Sequence, residues 1–148
     1  MIESLLPFKI FLWGFFICLI LICYFDIHKR IIPNTSVIVL LFFLFFSSYY
    51  GYLEFYFESL LSIFIIGLLL WKFGVWGAGD VKLISVLSMF ISPNFLFTSV
   101  LVILVVGGGV ALCELTMCKV LPSRKSQGVP YGVAISVGGC VGVLASIT

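Results

Sequence analysis

The sequence predicts an all-α integral membrane protein with about six transmembrane helices. Of its 148 residues, 63% are hydrophobic and only 9% are charged, and the mean hydropathy is +1.32. This composition leaves too little polar surface to coat a water-soluble globule. Several apolar runs approach the length of about 20 residues with which a helix crosses a hydrocarbon core of roughly 30 Å. We therefore expect one polytopic membrane domain over residues 1–148, with no soluble module.

The first three segments are apolar runs bounded by polar turns. The first run follows Glu3, contains Lys9 and has no small-residue cleavage site, so we expect a retained helix rather than a cleaved signal peptide. The second run follows Pro33 and Asn34, which suit a turn and a helix entry, with Asn34 or Thr35 as the cap. The predicted segments are Leu5 to Phe25, Ser36 to Tyr50 and Ser59 to Phe73.

The remaining segments are Val81 to Ile91, Phe95 to Cys113 and Pro130 to Ile147. The fourth segment is short, because 11 helical residues rise only about 16 Å. An alternative interpretation therefore fuses the fourth and fifth segments. The tripeptide SPN at Ser92 to Asn94 favours a break between them, since its proline and asparagine suit a turn.

The distribution of charge also favours six spans, with the N- and C-termini outside. In that topology seven of the eight lysine and arginine residues fall on one side, as the positive-inside rule requires. Fusing two segments would send the last three of them to the wrong face. The seven residues are Lys29, Arg30, Lys72, Lys82, Lys119, Arg124 and Lys125, and Lys9 is the exception.

Two aspartates come to the same membrane boundary in this topology. Asp26 ends the first span in YFDIHKRIIPN, and Asp80 opens the fourth in GAGDVKL. A charged side chain at the centre of a membrane helix costs on the order of 3 kcal/mol, and less near the interface, so such residues are functional candidates. The simpler interpretations are that Asp80 caps a helix, worth about 1 kcal/mol, and that Asp26 is a solvated acid in a turn.

A pair of carboxylates has a specific chemical use. At a separation of about 5 Å and an effective dielectric near 20, two carboxylates repel by roughly 3 kcal/mol, so one keeps its proton while the other is ionised. The pair then supplies a base for water and an acid for a peptide carbonyl or leaving amine. Gly77 and Gly79 would let another chain approach Asp80 closely. The pattern predicts aspartyl proteolysis at a membrane face, without a metal or cofactor.

Three motifs resemble those of the type IV prepilin peptidases, the GxGD membrane aspartyl proteases. They are GAGDVKL, DIHKRIIPN and VPYGVAIS, in that order, and the length is most similar to the short members from tight-adherence (Flp-type) pilus systems. The resemblance implies that Asp26 and Asp80 are the catalytic aspartates and that Gly77 and Gly79 are the motif glycines. Pro130, Tyr131 and Gly132 would form the entry to the last helix.

The resemblance also implies a substrate and a location. Family members remove the short basic leader from prepilins or pseudopilins at the cytoplasmic face of the inner membrane, so we expect a multi-pass protein in the lipid bilayer and no nucleic-acid partner. Longer members carry an additional N-terminal region with zinc-binding cysteines that is associated with N-methylation. This chain lacks it, so we expect cleavage without methyl transfer.

Other polar residues have two interpretations each. Lys82 could tune the aspartates or bind a substrate carboxylate, or it could be a lysine that reaches the membrane interface. Pro33 and Asn34 would fix the loop that follows Asp26. Glu114 could pair with Lys119 or could meet a basic leader.

Glycines and cysteines favour structural roles. Small residues let membrane helices approach, so the glycine clusters predict close packing. Five cysteines without a CxxC pair indicate neither a zinc site nor a disulfide framework. The glycines concerned are Gly107, Gly108, Gly109, Gly138, Gly139 and Gly142.

Alternatives from other classes are a non-enzymatic membrane assembly scaffold and a proton-coupled carrier. A carrier would be expected to show polar residues near the midplane and broken helices repeated in two halves, which the sequence lacks. Presenilin and signal peptide peptidase also use GxGD, but Phe25 stands here where their tyrosine precedes the acid. A scaffold would tolerate Asp80→Asn, whereas a catalytic pair would not.

Overall fold

The computed structural model describes residues 5–120 and 129–147, and these fold into six α-helices. The predicted all-α class is confirmed, and so is the separation of the fourth and fifth segments. Arg124 and Lys125, which entered the charge argument, lie outside the described residues, as does Glu3. The helices are α1 (Leu5–Lys29), α2 (Asn34–Tyr49), α3 (Phe57–Lys72), α4 (Ala78–Ser88), α5 (Pro93–Val120) and α6 (Tyr131–Ala145).

Two of the described helices are long and apolar enough to cross a membrane. The spanning stretches are Leu6–Lys29 in α1 and Pro93–Met117 in α5. Helices α2 and α6 are apolar but shorter, and α4 has only 11 residues. The predicted membrane class agrees with this composition, whereas the six spans and their orientation stay predictions.

The helices pack as three successive pairs, α1 with α2, α3 with α4 and α5 with α6. Helix α4 also packs against α6 and α2, and α6 also packs against α1. More than half of the residues of α4 are buried, including Leu83 and Leu87 with no exposed surface. The short helix therefore lies inside the bundle, where its length need not match a bilayer.

Glycines of α6 allow the close approach of its neighbours. A Cβ atom on Gly138 would overlap Ile103 of α5, and one on Gly139 would overlap Leu87 of α4. Gly142 is packed against Ser99 in the same way. The predicted packing role is confirmed at these three positions.

The prediction was only partly right for the glycines of α5. Gly107 packs against Tyr131, whose ring lies 3.3 Å from the position a Cβ would take. Apart from the adjoining backbone of α5 itself, Gly108 and Gly109 have no described atom within 4 Å of that position. Successive helical residues point about 100° apart, so three consecutive glycines cannot all face one neighbour.

The break between α4 and α5 lies where the SPN tripeptide predicted it. Pro93 is the first residue of α5, a position where its missing N–H is not needed. The N–H of Ser92 donates to Oγ of Ser146 beyond the end of α6, at 2.8 Å. This bond ties the turn to the last helix, at the end of the bundle opposite the two aspartates.

Candidate active site

Asp26 lies in the last turn of α1 and is buried, with 6% of its surface exposed. The helix ends at Lys29 because Arg30 takes a left-handed conformation, with φ of 54°. The N–H of Arg30 donates to the carbonyl oxygen of Asp26 at 3.1 Å, which closes the final turn. A left-handed conformation is unfavourable for a residue with a Cβ, so the packing around this turn must hold it.

Asp80 is the third residue of α4, not its N-cap. Gly77 occupies the N-cap position, and its N–H donates to Oδ2 of Asp80 at 2.9 Å. The capping interpretation is thus right about the interaction but wrong about the position. Capping uses one oxygen of the carboxyl group, and Asp80 is only partly buried.

The carboxyl group of Asp26 faces the first turn of α6. It interacts with the backbone N–H groups of Gly132 and Val133, which have no partner within a helix at this position. A helix N-terminus attracts negative charge. Oδ2 of Asp26 is buried without a hydrogen-bond partner among the described residues. One oxygen is therefore left for a group that enters the site.

Gly132 is required for this contact. A Cβ atom there would lie 2.7 Å from Oδ2 of Asp26 and 2.9 Å from its Cγ. Any side chain at position 132 would push the carboxyl group away from the helix end. The motif VPYGVAIS predicts that Gly132 lies in a helix entry, but its contact with Asp26 is evident only from the structure.

Ile32 holds the helix starts of α4 and α6 near the end of α1. Its Cβ lies 3.2 Å from the position a Cβ on Gly79 would take, and its Cδ1 lies 3.1 Å from the equivalent position on Gly132. Ile32 is buried between these two glycines. No sequence pattern predicts this role, since Ile32 is one apolar residue among many.

The two aspartates line one cavity of about 370 Å³. They are close enough for their carboxyl groups to interact electrostatically. The predicted convergence of Asp26 and Asp80 at one end of the bundle is thus present in the structure, and we call this end the aspartate end. The other residues that line the cavity include Arg30, Ile32, Gly77, Gly79 and Val129.

Glu114 of α5 forms an ion pair with Arg30, with Oε1 and Nη2 3.3 Å apart. Glu114 is buried, with 8% of its surface exposed. The expected partners were Lys119 or a basic leader, and the pairing with Arg30 was not predicted. The pair connects α5 to the turn that follows Asp26, and the two residues are 84 positions apart in sequence. A contact over such a separation cannot be predicted from a local sequence pattern.

Lys82 and Asn34 contact each other on the far side of α4 from Asp26. Nζ of Lys82 donates to Oδ1 of Asn34 at 3.2 Å, and neither residue lines the cavity of the aspartates. The expectation that Asn34 or Thr35 caps α2 was wrong, because Pro33 occupies the N-cap position and no side chain bonds there. The amide of Asn34 accepts from α4 instead.

Two further predicted residues lie at the start of α6. Pro130 is its N-cap residue and Tyr131 its first residue. Tyr131 packs on Gly107, which fixes this end of α6 against α5. Within residues 5–120 and 129–147, no three histidine, cysteine, aspartate or glutamate side chains form a cluster that could hold a metal ion.

Comparison with known families gives one match. The family model described as the type IV leader peptidase family matches residues 13–112, more than half of the chain. The chain belongs to the type IV leader peptidase family. The resemblance derived from the three motifs is thereby confirmed. No curated protein and no solved structure gives a significant match.

The segment matched by the leader peptidase family contains both aspartates and the glycines of GAGD. It ends before the start of α6, so Pro130, Tyr131 and Gly132 lie beyond it. Membership supports a leader-peptidase type of activity. The contact of Gly132 with Asp26 adds the last helix to the candidate site on structural grounds alone.

Proposed function

We propose that this protein is a membrane-embedded aspartic endopeptidase that removes the short basic leader from prepilin or prepilin-like proteins. The observation that carries the proposal is the shared cavity, which is lined by aspartates from two helices. Membership of the leader peptidase family supports the reaction class. Asp26 and Asp80 are the catalytic residues of this proposal.

The surroundings of the two carboxyl groups suggest a division of roles. Asp26 interacts with two backbone N–H groups and is influenced by the positive charge of Arg30, whereas Asp80 accepts a single N–H from Gly77. The negative charge shared by the pair is therefore better placed on Asp26 and the proton on Asp80. Asp26 acts as the base in this mechanism and Asp80 as the acid.

The reaction needs only water and the two carboxyl groups. Asp26 takes a proton from a water molecule as the water oxygen attacks the scissile carbonyl carbon, and Asp80 gives its proton to the carbonyl oxygen. The C–N bond then breaks as the amine nitrogen takes the proton held by Asp26 and the hydroxyl returns its proton to Asp80. The products are a carboxylic acid and a free amine, and the tetrahedral intermediate is never covalently bonded to the enzyme.

The proposal includes a topology and a cellular place. Six spans with both termini outside would put the aspartate end at the cytoplasmic face of the inner membrane, where a basic leader resides. The substrate helix would need local unwinding, because its carbonyl groups are hydrogen-bonded and shielded. We propose cleavage without methylation of the new amino terminus.

Leader removal from a co-expressed short prepilin tests this function. We expect the wild type to release the leader, and Asp26→Asn and Asp80→Asn each to abolish release at equal membrane abundance. Glu58→Gln is the matched control, since Glu58 is an exposed acid in the first turn of α3, away from the site. Gel mobility and the N-terminal mass of the product are the measurements. Cleavage at the wild-type rate by either aspartate variant would refute the two-carboxylate mechanism.

A further inference from the structure

A second concave surface lies on the other side of α4, and we call it the α2–α3 groove. It has a volume of about 670 Å³ and is bordered by α2 and α3 with α4 as its floor. It runs from Asn34 and Lys82 at the aspartate end towards Phe57, the first residue of α3. Between these ends the lining is almost entirely apolar. Among the described residues that line the groove, Lys82 is the one ionisable residue. The residues that line the groove include Asn34, Ile38, Leu61, Phe64, Lys82 and Val86.

The α2–α3 groove and the aspartate cavity share α4 as their common wall. Asp80 and Lys82 are two positions apart, which is a rotation of about 200° around a helix axis, so they project to opposite sides. Asp80 accordingly lines the cavity, and Lys82 lines the groove. A chain that lies in the groove and passes over the start of α4 would therefore bring its next residues to the two aspartates.

The charges along this path change sign in a defined order. The cavity presents the carboxyl groups of Asp26 and Asp80 together with Arg30, whose positive charge is balanced by its ion pair with Glu114. The mouth of the groove presents the ammonium group of Lys82, and the groove itself is apolar. A basic segment is attracted by the cavity and repelled by Lys82, whereas an apolar helix gains by lying in the groove. Lys82 keeps two N–H donors beyond the one that it gives to Asn34, so an acceptor oxygen at the end of the occupant would be bound there.

We propose that the α2–α3 groove seats the apolar helix of the substrate, which enters sideways from the bilayer, and that Lys82 keeps the basic leader on the cavity side of α4. This inference rests on the proposed function and adds to it the route by which the substrate is held. Basic residues before the scissile bond and an apolar helix after it match the order of charge along α4. The cut then falls at the start of α4, next to Gly77 and Asp80.

Photo-crosslinking in lipid vesicles tests the groove. The probe is a synthetic peptide with a short basic leader followed by an apolar helix of about 20 residues, the length that crosses a bilayer, incubated with the full-length Asp80→Asn variant. A benzophenone-bearing residue replaces Ile38 or Leu61 in the groove, which are 64% and 48% exposed. The same residue replaces Ile20 or Val105 as a matched control, since these are 66% and 74% exposed but lie outside the groove.

We expect peptide crosslinks from positions 38 and 61 at least tenfold above those from positions 20 and 105. Equal yields at all four positions, or crosslinks to lipid alone at positions 38 and 61, would overturn the proposal, and the second result would mark a lipid site. Cleavage of the same peptide by the wild type is measured in parallel. Absence of cleavage with selective crosslinks would refute the proposed function and leave the groove, whereas cleavage without selective crosslinks would refute the groove alone.

Discussion

The carboxyl group of Asp26 rests against the backbone of Gly132, and this contact explains several features of the site. The N-terminus of α6 supplies N–H groups to a carboxylate that would otherwise be buried without enough partners. The contact exists only because position 132 has no side chain. Arg30 has two roles next to this contact. Its left-handed conformation ends α1, and its guanidinium forms an ion pair with Glu114.

Gly132→Ala is expected to impair cleavage more than folding. The added methyl group would lie within 2.7 Å of Oδ2 of Asp26, and displacing a catalytic group by about 1 Å costs on the order of 10²-fold in rate. Gly108→Ala is the control, because no described atom apart from the adjoining backbone of α5 lies within 4 Å of the new methyl group. The cleavage rate and the thermal unfolding midpoint of both variants are measured in detergent. A Gly132→Ala rate within twofold of the control would contradict the contact.

The ion pair between Arg30 and Glu114 is expected to stabilise the fold as a unit. Arg30→Gln and Glu114→Gln each leave a mostly buried charge without this partner, which should cost about 1–3 kcal/mol of unfolding free energy. The double variant should lose less than the sum of the two single losses. Denaturant titration of the four proteins measures the coupling. Strictly additive losses would show that the two side chains act independently.

Among the helices, the short α4 has the central position in the bundle. It carries Asp80 and Lys82 on opposite sides and packs against α2, α3 and α6. More than half of its 11 residues are buried against these neighbours, so the stability of α4 comes from packing within the bundle. Helix α6 reaches both α4 and α5 because its glycines remove the side chains that would keep them apart.

Gly138→Ala is expected to destabilise the bundle without a direct effect on chemistry. Its methyl group would overlap Ile103 and approach the carbonyl oxygen of Ser99 at 2.8 Å, and backbone atoms cannot move aside. Overpacking of this kind costs about 1–3 kcal/mol. Gly109→Ala, also within a helix but in open space, should be neutral or slightly stabilising. Thermal unfolding compares them, and equal midpoints would argue against tight packing between α5 and α6.

At the scale of the whole molecule, the order of the helices brings the ends of α1 and the starts of α4 and α6 to one end. Short connections between successive helices make neighbours antiparallel, so odd helices end where even helices begin. This alternation alone places Asp26 and Asp80 at the same end. The distribution of lysine and arginine residues predicts on which side of the membrane that end lies.

The six-span topology predicts which connections face each side. Glu54→Cys lies between α2 and α3 and should react with a membrane-impermeant maleimide on intact cells, whereas Val75→Cys, between α3 and α4, should react only after lysis. Both positions are exposed, so folding does not hide them. Labelling of the protein without an introduced cysteine is the control, since it measures the reaction of the native cysteines. Labelling of Val75→Cys in intact cells would overturn the orientation.

The sequence by itself determined the helical class, the six segments and the two aspartates. Hydropathy, proline positions and the rarity of charge are local properties, and in a chain with 9% charged residues each acid is conspicuous. Only the tertiary structure decided that Gly132 and Ile32 build the site, that Arg30 is a partner of Glu114, and that Lys82 faces a separate groove. These are contacts between residues far apart in sequence, and they depend on the rotation of each helix about its axis, which an almost uniformly apolar sequence leaves open.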